Sequence, residues 1–298
     1  MAISISTDIT DIKGKEVLEY GTAVFPIAFF DDDLTRVKVP WHWHEQLEIV
    51  YIIDGEVIMN IGRDEFTLKA GEGYFLNSGI LHSAKLITNK GWQHATVFDP
   101  RVIASENDIV WNYYVNPILS NNDFSYLKLS PDIPWHKEIL DLSEKSWNNG
   151  AYENRNYPLM VRSSLSEIMS LIIDNYQKQS GSESKPLYKE ETRIKETLNY
   201  IEKHYRETLD IEQIAHSAHV SVSTLLRMYH NVLHTTPINF LIGYRIERIA
   251  DDLLNDHLST IGDIAFANGF NDISYFNRCF KKAYGLTPKQ YRHQQASK

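Results

Sequence analysis

One cysteine, Cys279, stands among 298 residues. An intramolecular disulfide framework is therefore excluded, and the expected compartment is the reducing cytoplasm. The chain also lacks any apolar run approaching the ~20 residues of a membrane span, and its first residues show no basic-then-apolar leader. No membrane partner is expected. Positive charge is not in excess either: 30 Lys+Arg stand against 39 Asp+Glu, for a net charge of −9. What remains is an ordinary globular composition, 43% hydrophobic and 23% charged, in a chain long enough for two domains.

The deficit of positive charge is uneven. Residues 1–188 carry 16 Lys+Arg against 26 Asp+Glu, whereas residues 189–298 carry 14 against 13. The first part should repel a polyanion and the second is near neutral. Arg278, Lys281, Lys282, Lys289 and Arg292 cluster late in the chain. On charge alone such a cluster reads as a solvated helix face.

Residues from about 20 to 100 read as strands. Short β-branched and aromatic stretches are broken at Asp54-Gly55, Gly62-Arg63-Asp64 and Gly71-Glu72-Gly73, and Asp-Gly between apolar runs is a hairpin signal. A barrel or sandwich is expected. The pattern then turns helical. In "PLMVRSSLSEIMSLIIDNYQKQ", Leu159, Leu165, Ile168, Met169, Ile172 and Ile173 form one stripe behind Pro158. That stripe fits a helix packed on the barrel or a dimer interface. "QKQSGSESKP" is polar, rich in Ser and Gly, and reads as a linker. The boundaries expected are a barrel over 1–134, a helical pair and candidate dimerisation element over 135–178, a linker over 179–189 and a helical domain over 190–298.

The helical part contains a repeat. Ile211, Ile214 and Ala215 match Ile261, Ile264 and Ala265 at an offset of 50 residues; Arg227, Tyr229, Thr236 and Pro237 match Arg278, Phe280, Thr287 and Pro288 at an offset of 51. The extra residue falls in the turn of the second copy. Each copy has helix-turn-helix logic: a small residue where helices approach, a turn ("AHVS" or "NGFND"), then a second helix with Ser221 or Asp272 as N-cap. Leu225, Met228 and Val232 in one copy, and Phe276, Cys279, Phe280 and Ala283 in the other, read as core. The opposite faces hold Ser223, Thr224, Leu226, Arg227 and His230, and Ser274, Tyr275, Asn277, Arg278 and Lys281. Short polar and guanidinium side chains can reach base edges, and cations can meet phosphates. Between the copies, "PINFLIGYRIERIADDLLND" predicts a helix of about 18 residues, ~27 Å long. That spacer is close to one turn of DNA, ~34 Å.

The segments "YRIERIADDLL" and "IGDIAFANGFNDISYFNRCFKKAYGLTPKQYR" make residues 190–295 similar to the DNA-binding domain of the AraC/XylS family of transcriptional regulators. The resemblance implies a seven-helix domain with two helix-turn-helix motifs on double-stranded DNA. It places base-reading positions at Ser223, Leu226 and Arg227, and at Ile273, Ser274, Asn277 and Arg278; Thr224 and Lys281 lie on the same faces. It also implies an RNA polymerase contact if the protein activates. The first motif departs from the pattern. His234 stands where glycine is usual, and Leu226 stands where polar readers are frequent.

The N-terminal part carries H-x-H-x3-E-x6-G as His42, His44, Glu48 and Gly55, followed by Gly73, Gly79 and His82. Residues two apart on a strand share a face, so the three imidazoles and the carboxylate can converge. Such a donor set suits Zn, Fe, Mn or Ni. These residues resemble both cupin motifs, with Asn77 in place of a proline and Leu86 in place of an asparagine. Three readings follow: a catalytic metal site, a metal or metal-assisted ligand site, and a metal-free effector pocket. Trp41, Trp43 and Tyr51 suit stacking on a sugar ring or belong to the core.

The fold expected is two-domain α+β, with a cupin-like β-barrel and helical pair ahead of an all-α domain. The function expected is a ligand-responsive, DNA-binding regulator of carbohydrate or other small-molecule metabolism, as a homodimer. No catalytic residue and no required cofactor are assigned. The effector residues are His42, His44, Glu48, His82 and Trp43, and the first four could hold a divalent transition metal. The rival is a metal-dependent cupin enzyme fused to a helical module.

Overall fold

A computed structural model describes residues 3–4, 21–22, 24–121, 123–176, 187–256 and 258–295. The chain divides into two compact units between Tyr188 and Lys189. Residues 177–186, which hold most of the expected linker, lie outside the described residues.

The strands are β1 (Ile3–Ser4), β2 (Ile27–Asp33), β3 (Val39–His42), β4 (Leu47–Asp54), β5 (Glu56–Ile61), β6 (Asp64–Lys69), β7 (Gly73–Leu76), β8 (His82–Leu86), β9 (Trp92–Phe98) and β10 (Tyr126–Leu129). One sheet runs β1-β2-β9-β4-β7-β10 and the other β3-β8-β5-β6. The three expected breaks fall at the turns between β4 and β5, β5 and β6, and β6 and β7. Of the expected barrel or sandwich, the cupin-like domain takes the jelly-roll-like form. Among the described residues no pairing joins the two sheets, which face each other as an open, jelly-roll-like sandwich.

Alternation along the strands decides what each face meets. In β2, Ala28 and Phe30 point between the sheets, while Ile27 and Phe29 point to the helices. In β4, Val50 and Ile52 share the inter-sheet core, while Leu47 and Ile49 face the other way. Glu48 follows the Val50–Ile52 parity, so the register of one buried central strand puts a carboxylate inside the sandwich.

Helices α1 (Asn116–Leu119), α2 (Pro134–Ala151) and α3 (Tyr157–Asn175) follow, with a π-helical turn at Trp111–Val115 before α1. Ile139, Leu140 and Trp147 of α2 and Leu165, Ile168, Met169 and Ile172 of α3 form the layer under the six-stranded sheet. The predicted stripe therefore splits, because Leu159 and Ile173 are exposed. Helix α2 is also held by polar contacts. Trp147 Nε1 donates to Phe30 O at 2.9 Å, and its indole lies 3.5 Å from the His94 ring at an interplanar angle of 5°. His94 Nδ1 lies 3.0 Å from Glu144.

The second unit holds α4 (Leu187–His204), α5 (Ile211–Ser217), α6 (Val222–Met228), α7 (Pro237–Asn255), α8 (Ile261–Ala267), α9 (Ile273–Tyr284) and α10 (Pro288–Gln295). The predicted N-caps are present: Ser221 Oγ accepts from Thr224 N, and Asp272 Oδ1 from Tyr275 N. Thr236 and Thr287 cap the Pro-led helices α7 and α10 in the same way. At 19 residues, α7 is about 28 Å long. Its Ile246, Ile249, Ala250 and Leu253 join the core of the second copy. Phe276 and Phe280 are fully buried as expected, but Ala283 is exposed and Cys279 only half-buried. The face of α9 that can be buried is narrower than its apolar composition suggests.

Candidate functional site

Strand pairing assembles the histidines. β3 runs antiparallel to β8 with His42 directly opposite His82. The segment after β3 carries His44, whose carbonyl accepts from Gly79 N at 2.8 Å. The ring centroids of His42 and His82 are 4.0 Å apart, those of His44 and His82 5.2 Å, and those of His42 and His44 5.8 Å. Glu48 enters from β4, with Oε2 3.2 Å from His82 Nε2 and 3.6 Å from His44 Nε2. All four side chains are buried.

Each imidazole is oriented by the same local device. Nδ1–H donates to a backbone carbonyl two residues away: His42 to Pro40 O at 2.8 Å, His44 to Gln46 O at 3.0 Å, and His82 to Ile80 O at 2.9 Å. That places the proton on Nδ1 and leaves the Nε2 lone pair facing inward. A ligand nitrogen from each of the three rings lies within 4.8 Å of the others. Burial, together with the neighbouring imidazoles, lowers the His82 pKa to about 4, so the ring is neutral near pH 7. Burial pushes the Glu48 carboxyl up, and the His44 and His82 imidazoles lower it only where they turn an N–H or a positive charge toward it. With the protons on Nδ1, Glu48 faces nitrogen lone pairs instead, and neither Glu48 Oε2 nor His82 Nε2 has a hydrogen-bond partner among the described residues. Buried polar atoms left so are costly. A cation held by the three imidazoles would lie beside Glu48 and balance its charge, and such a donor set fits a divalent transition metal.

Trp43 is less buried than the histidines on either side of it. Burial alternates from Trp41 to His44: the two histidines are buried and both tryptophans are half-buried. The two departures from the second cupin motif have structural explanations. Asn77 donates to Ile118 O at 2.9 Å and Phe124 O at 2.8 Å, tying the loop before β8 to the segment around α1. Leu86 packs against the inter-sheet core.

In the second unit, α6 and α9 present the expected faces. Ser223, Leu226 and Arg227 are exposed and Thr224 is half-buried. Ser274, Asn277, Arg278 and Lys281 are exposed, whereas Ile273 packs partly on the core. The Arg278 guanidinium lies 5.9 Å from the Tyr275 ring centre, which orients it by a cation–π contact. One member of the late basic cluster is corrected: Arg292 is half-buried and donates to Ser259 O at 3.1 Å, holding α10 to the loop before α8.

Arg245 was not singled out from the sequence. From α7 it donates through Nε to Tyr205 O and through Nη2 to Glu207 O, both at 2.6 Å, and it lies against Phe270. It therefore fastens the loop after α4 to the turn of the second motif. The available signal was a cation in the apolar run "YRIERI". Tyr229 is fully buried with its hydroxyl 2.8 Å from Thr197 Oγ1, a contact between helices that no local pattern announces.

Comparison with known proteins accords with both units. The model of an AraC-like ligand binding domain matches residues 25–106, and that of a helix-turn-helix domain matches residues 214–294. The HTH-type transcriptional regulator YdeC of Bacillus subtilis (strain 168) is 27% identical over 288 residues, covering 95% of this chain and 97% of the relative. An HTH-type transcriptional regulator in the cgkA 5' region of Pseudoalteromonas carrageenovora is 33% identical over 121 residues, covering 39% of this chain and 71% of the relative. The arabinose operon regulatory protein of Escherichia coli (strain K12) is 27% identical over 241 residues, covering 79% and 76%. No helix among the described residues is long and apolar enough to cross a membrane. With a ligand-binding domain ahead of a doubled helix-turn-helix, this chain belongs to the AraC family of HTH-type transcriptional regulators.

Proposed function

We propose that this regulator answers to a small-molecule effector held through a divalent transition metal at His42, His44, Glu48 and His82. Occupancy of that site would change how the C-terminal domain binds double-stranded DNA. The observation that carries this reading is the common orientation of the three imidazoles, with each Nδ1 proton engaged by a carbonyl, a ligand nitrogen of each ring within 4.8 Å of the others, and Nε2 of His44 and His82 beside Glu48. Protein atoms alone leave that meeting of lone pairs and negative charge unbalanced. A bound metal would supply Lewis-acid affinity for oxygen donors such as sugar hydroxyls or a carboxylate. The likeness to an arabinose operon regulator supports a sugar. Trp43, half-buried between the buried His42 and His44, is proposed as a flanking effector contact rather than a metal ligand. No catalytic residue is assigned.

To control transcription, the effector must favour one conformation or assembly over another. The proposed assembly is a homodimer through exposed apolar side chains of the first unit, Leu159, Met160, Ile173, Tyr113 and Tyr114. The proposed setting is the cytoplasm, with RNA polymerase as a further partner if the protein activates.

Elemental analysis of the full-length chain from metal-replete medium tests the site. The expected result is about one transition-metal ion per chain, lost in Glu48→Gln and His82→Ala. A metal-free protein whose melting temperature does not respond to Zn, Mn, Ni or Fe(II) would reduce the cluster to a metal-free pocket. Selection of duplexes from a random pool by the same chain tests the DNA side, and no enriched sequence would overturn it.

A further inference from the structure

The two recognition helices offer different chemistry at matched positions. The 51-residue offset sets Ser223 on Ser274, Thr224 on Tyr275, Leu226 on Asn277 and Arg227 on Arg278. At the start of α6 the hydroxyls are already bonded to one another. Ser221 Oγ lies 3.0 Å from Ser223 Oγ and 2.9 Å from Thr224 Oγ1. Beyond them the face carries Leu226, which is 39% exposed, and Arg227. The exposure of Leu226 is not slack in the core, since Leu225 and Met228 fill that side completely. In α9 the cap is the Asp272 carboxylate, bonded to Tyr275 N. Ser274 and Asn277 stand exposed on that helix.

Base edges in the major groove differ in what they give a leucine. Thymine alone presents a methyl group; the other edges present donors and acceptors that a leucine would desolvate without replacing their hydrogen bonds. Asn and Arg are suited to adenine and guanine edges in the same groove. We infer that Leu226 reads a thymine methyl, so that the operator has two chemically unlike elements. The first motif depends on a methyl group, and the second depends on hydrogen bonds from Asn277 and Arg278. This rests on the DNA-reading assignment of the two faces made above.

The test uses the full-length chain and the duplex it enriches from a random pool at near-physiological salt. Each thymine is replaced in turn by deoxyuridine, which lacks the methyl, and each guanine by 7-deazaguanine, which lacks the N7 acceptor. At one thymine in one element, deoxyuridine is expected to weaken binding about fourfold, the worth of one buried methyl-sized group. Leu226→Ala should bind the two forms equally, with an unchanged melting temperature because the side chain is exposed. Losses from 7-deazaguanine in the other element should persist in Leu226→Ala and disappear in Arg278→Ala. A Leu226→Asn variant should shift preference at that thymine toward adenine. Tolerance of deoxyuridine at every thymine, or a deoxyuridine loss that survives Leu226→Ala, would overturn the inference while leaving the regulator reading intact. Absence of any enriched sequence would overturn both.

Discussion

The second helix-turn-helix has glycine where the first has histidine. Gly269 and Gly285 sit at φ +85 and +71; at the matching positions His219 and His234 sit at φ 53 and 50. A side chain in that region costs about 1–2 kcal/mol, though histidine is among the residues found there more often. The helices differ too. α9 is regular over twelve residues, whereas the matching twelve of the first copy are α6 followed by a π-helical turn at Tyr229–Leu233. Where the second copy buries Phe280, the first buries Tyr229 and satisfies its hydroxyl from α4. Their outer faces also differ in charge: Arg278, Lys281 and Lys282 against Arg227 and His230. One backbone plan is thus reached by two sets of local devices, and the first copy carries more strain and less fixed charge.

The largest expected effect tests whether the glycine in the turn is needed for space as well as for φ. A Cβ at Gly269 would come within 2.4 Å of Tyr205 O and 2.9 Å of Arg245 Nε. Gly269→Ala should destabilise the second unit by about 2–3 kcal/mol in chemical denaturation. If alanine is tolerated there as histidine is at 219, crowding does not separate the two turns. Next comes the DNA face. Arg278→Ala should cost about 1–3 kcal/mol on the selected duplex and little on random duplex. Lys281→Ala should instead reduce the salt slope by about one unit. Uniform loss in both variants would make Arg278 a phosphate contact.

Smaller effects sharpen the core comparison. Tyr229→Phe should cost about 1 kcal/mol by removing the hydroxyl paired with Thr197, and Thr197→Val alongside it should recover part of that loss. Equal stability of wild type and Tyr229→Phe would mean that the pair contributes nothing. The smallest change is His234→Gly, expected to stabilise by about 0.5 kcal/mol as strain relief slightly exceeds the added chain entropy. A lower unfolding midpoint would show that the imidazole makes a compensating contact.

Much of this comparison was legible before folding. The offset of the repeat located both turns, Ser221 and Asp272 announced their caps, and His234 was already out of place beside Gly285. The missing polar reader at Leu226 was visible too. These are local properties, set by residues within one or two helical turns of each other. Arg245 was not legible, because its partners are carbonyls near residue 206 and any surface-like cation could have occupied the same helical position. Leu159 and Ile173 share the helical spacing of the core stripe, and spacing alone does not separate an outward side chain from a buried one because it tolerates a wide face.

For the metal candidate the division is just as definite. Sequence alone determined the residue types, the shared parity of His42 and His44, and the hairpin breaks that called for a barrel or sandwich. Tertiary structure decided that β3 pairs with β8 and so sets His82 opposite His42. It also brought Glu48 in from the central strand of the opposite sheet and kept the two sheets from closing. Strand order depends on which distant segments bury their apolar faces together, and that is a property of the whole sandwich rather than of any window of residues.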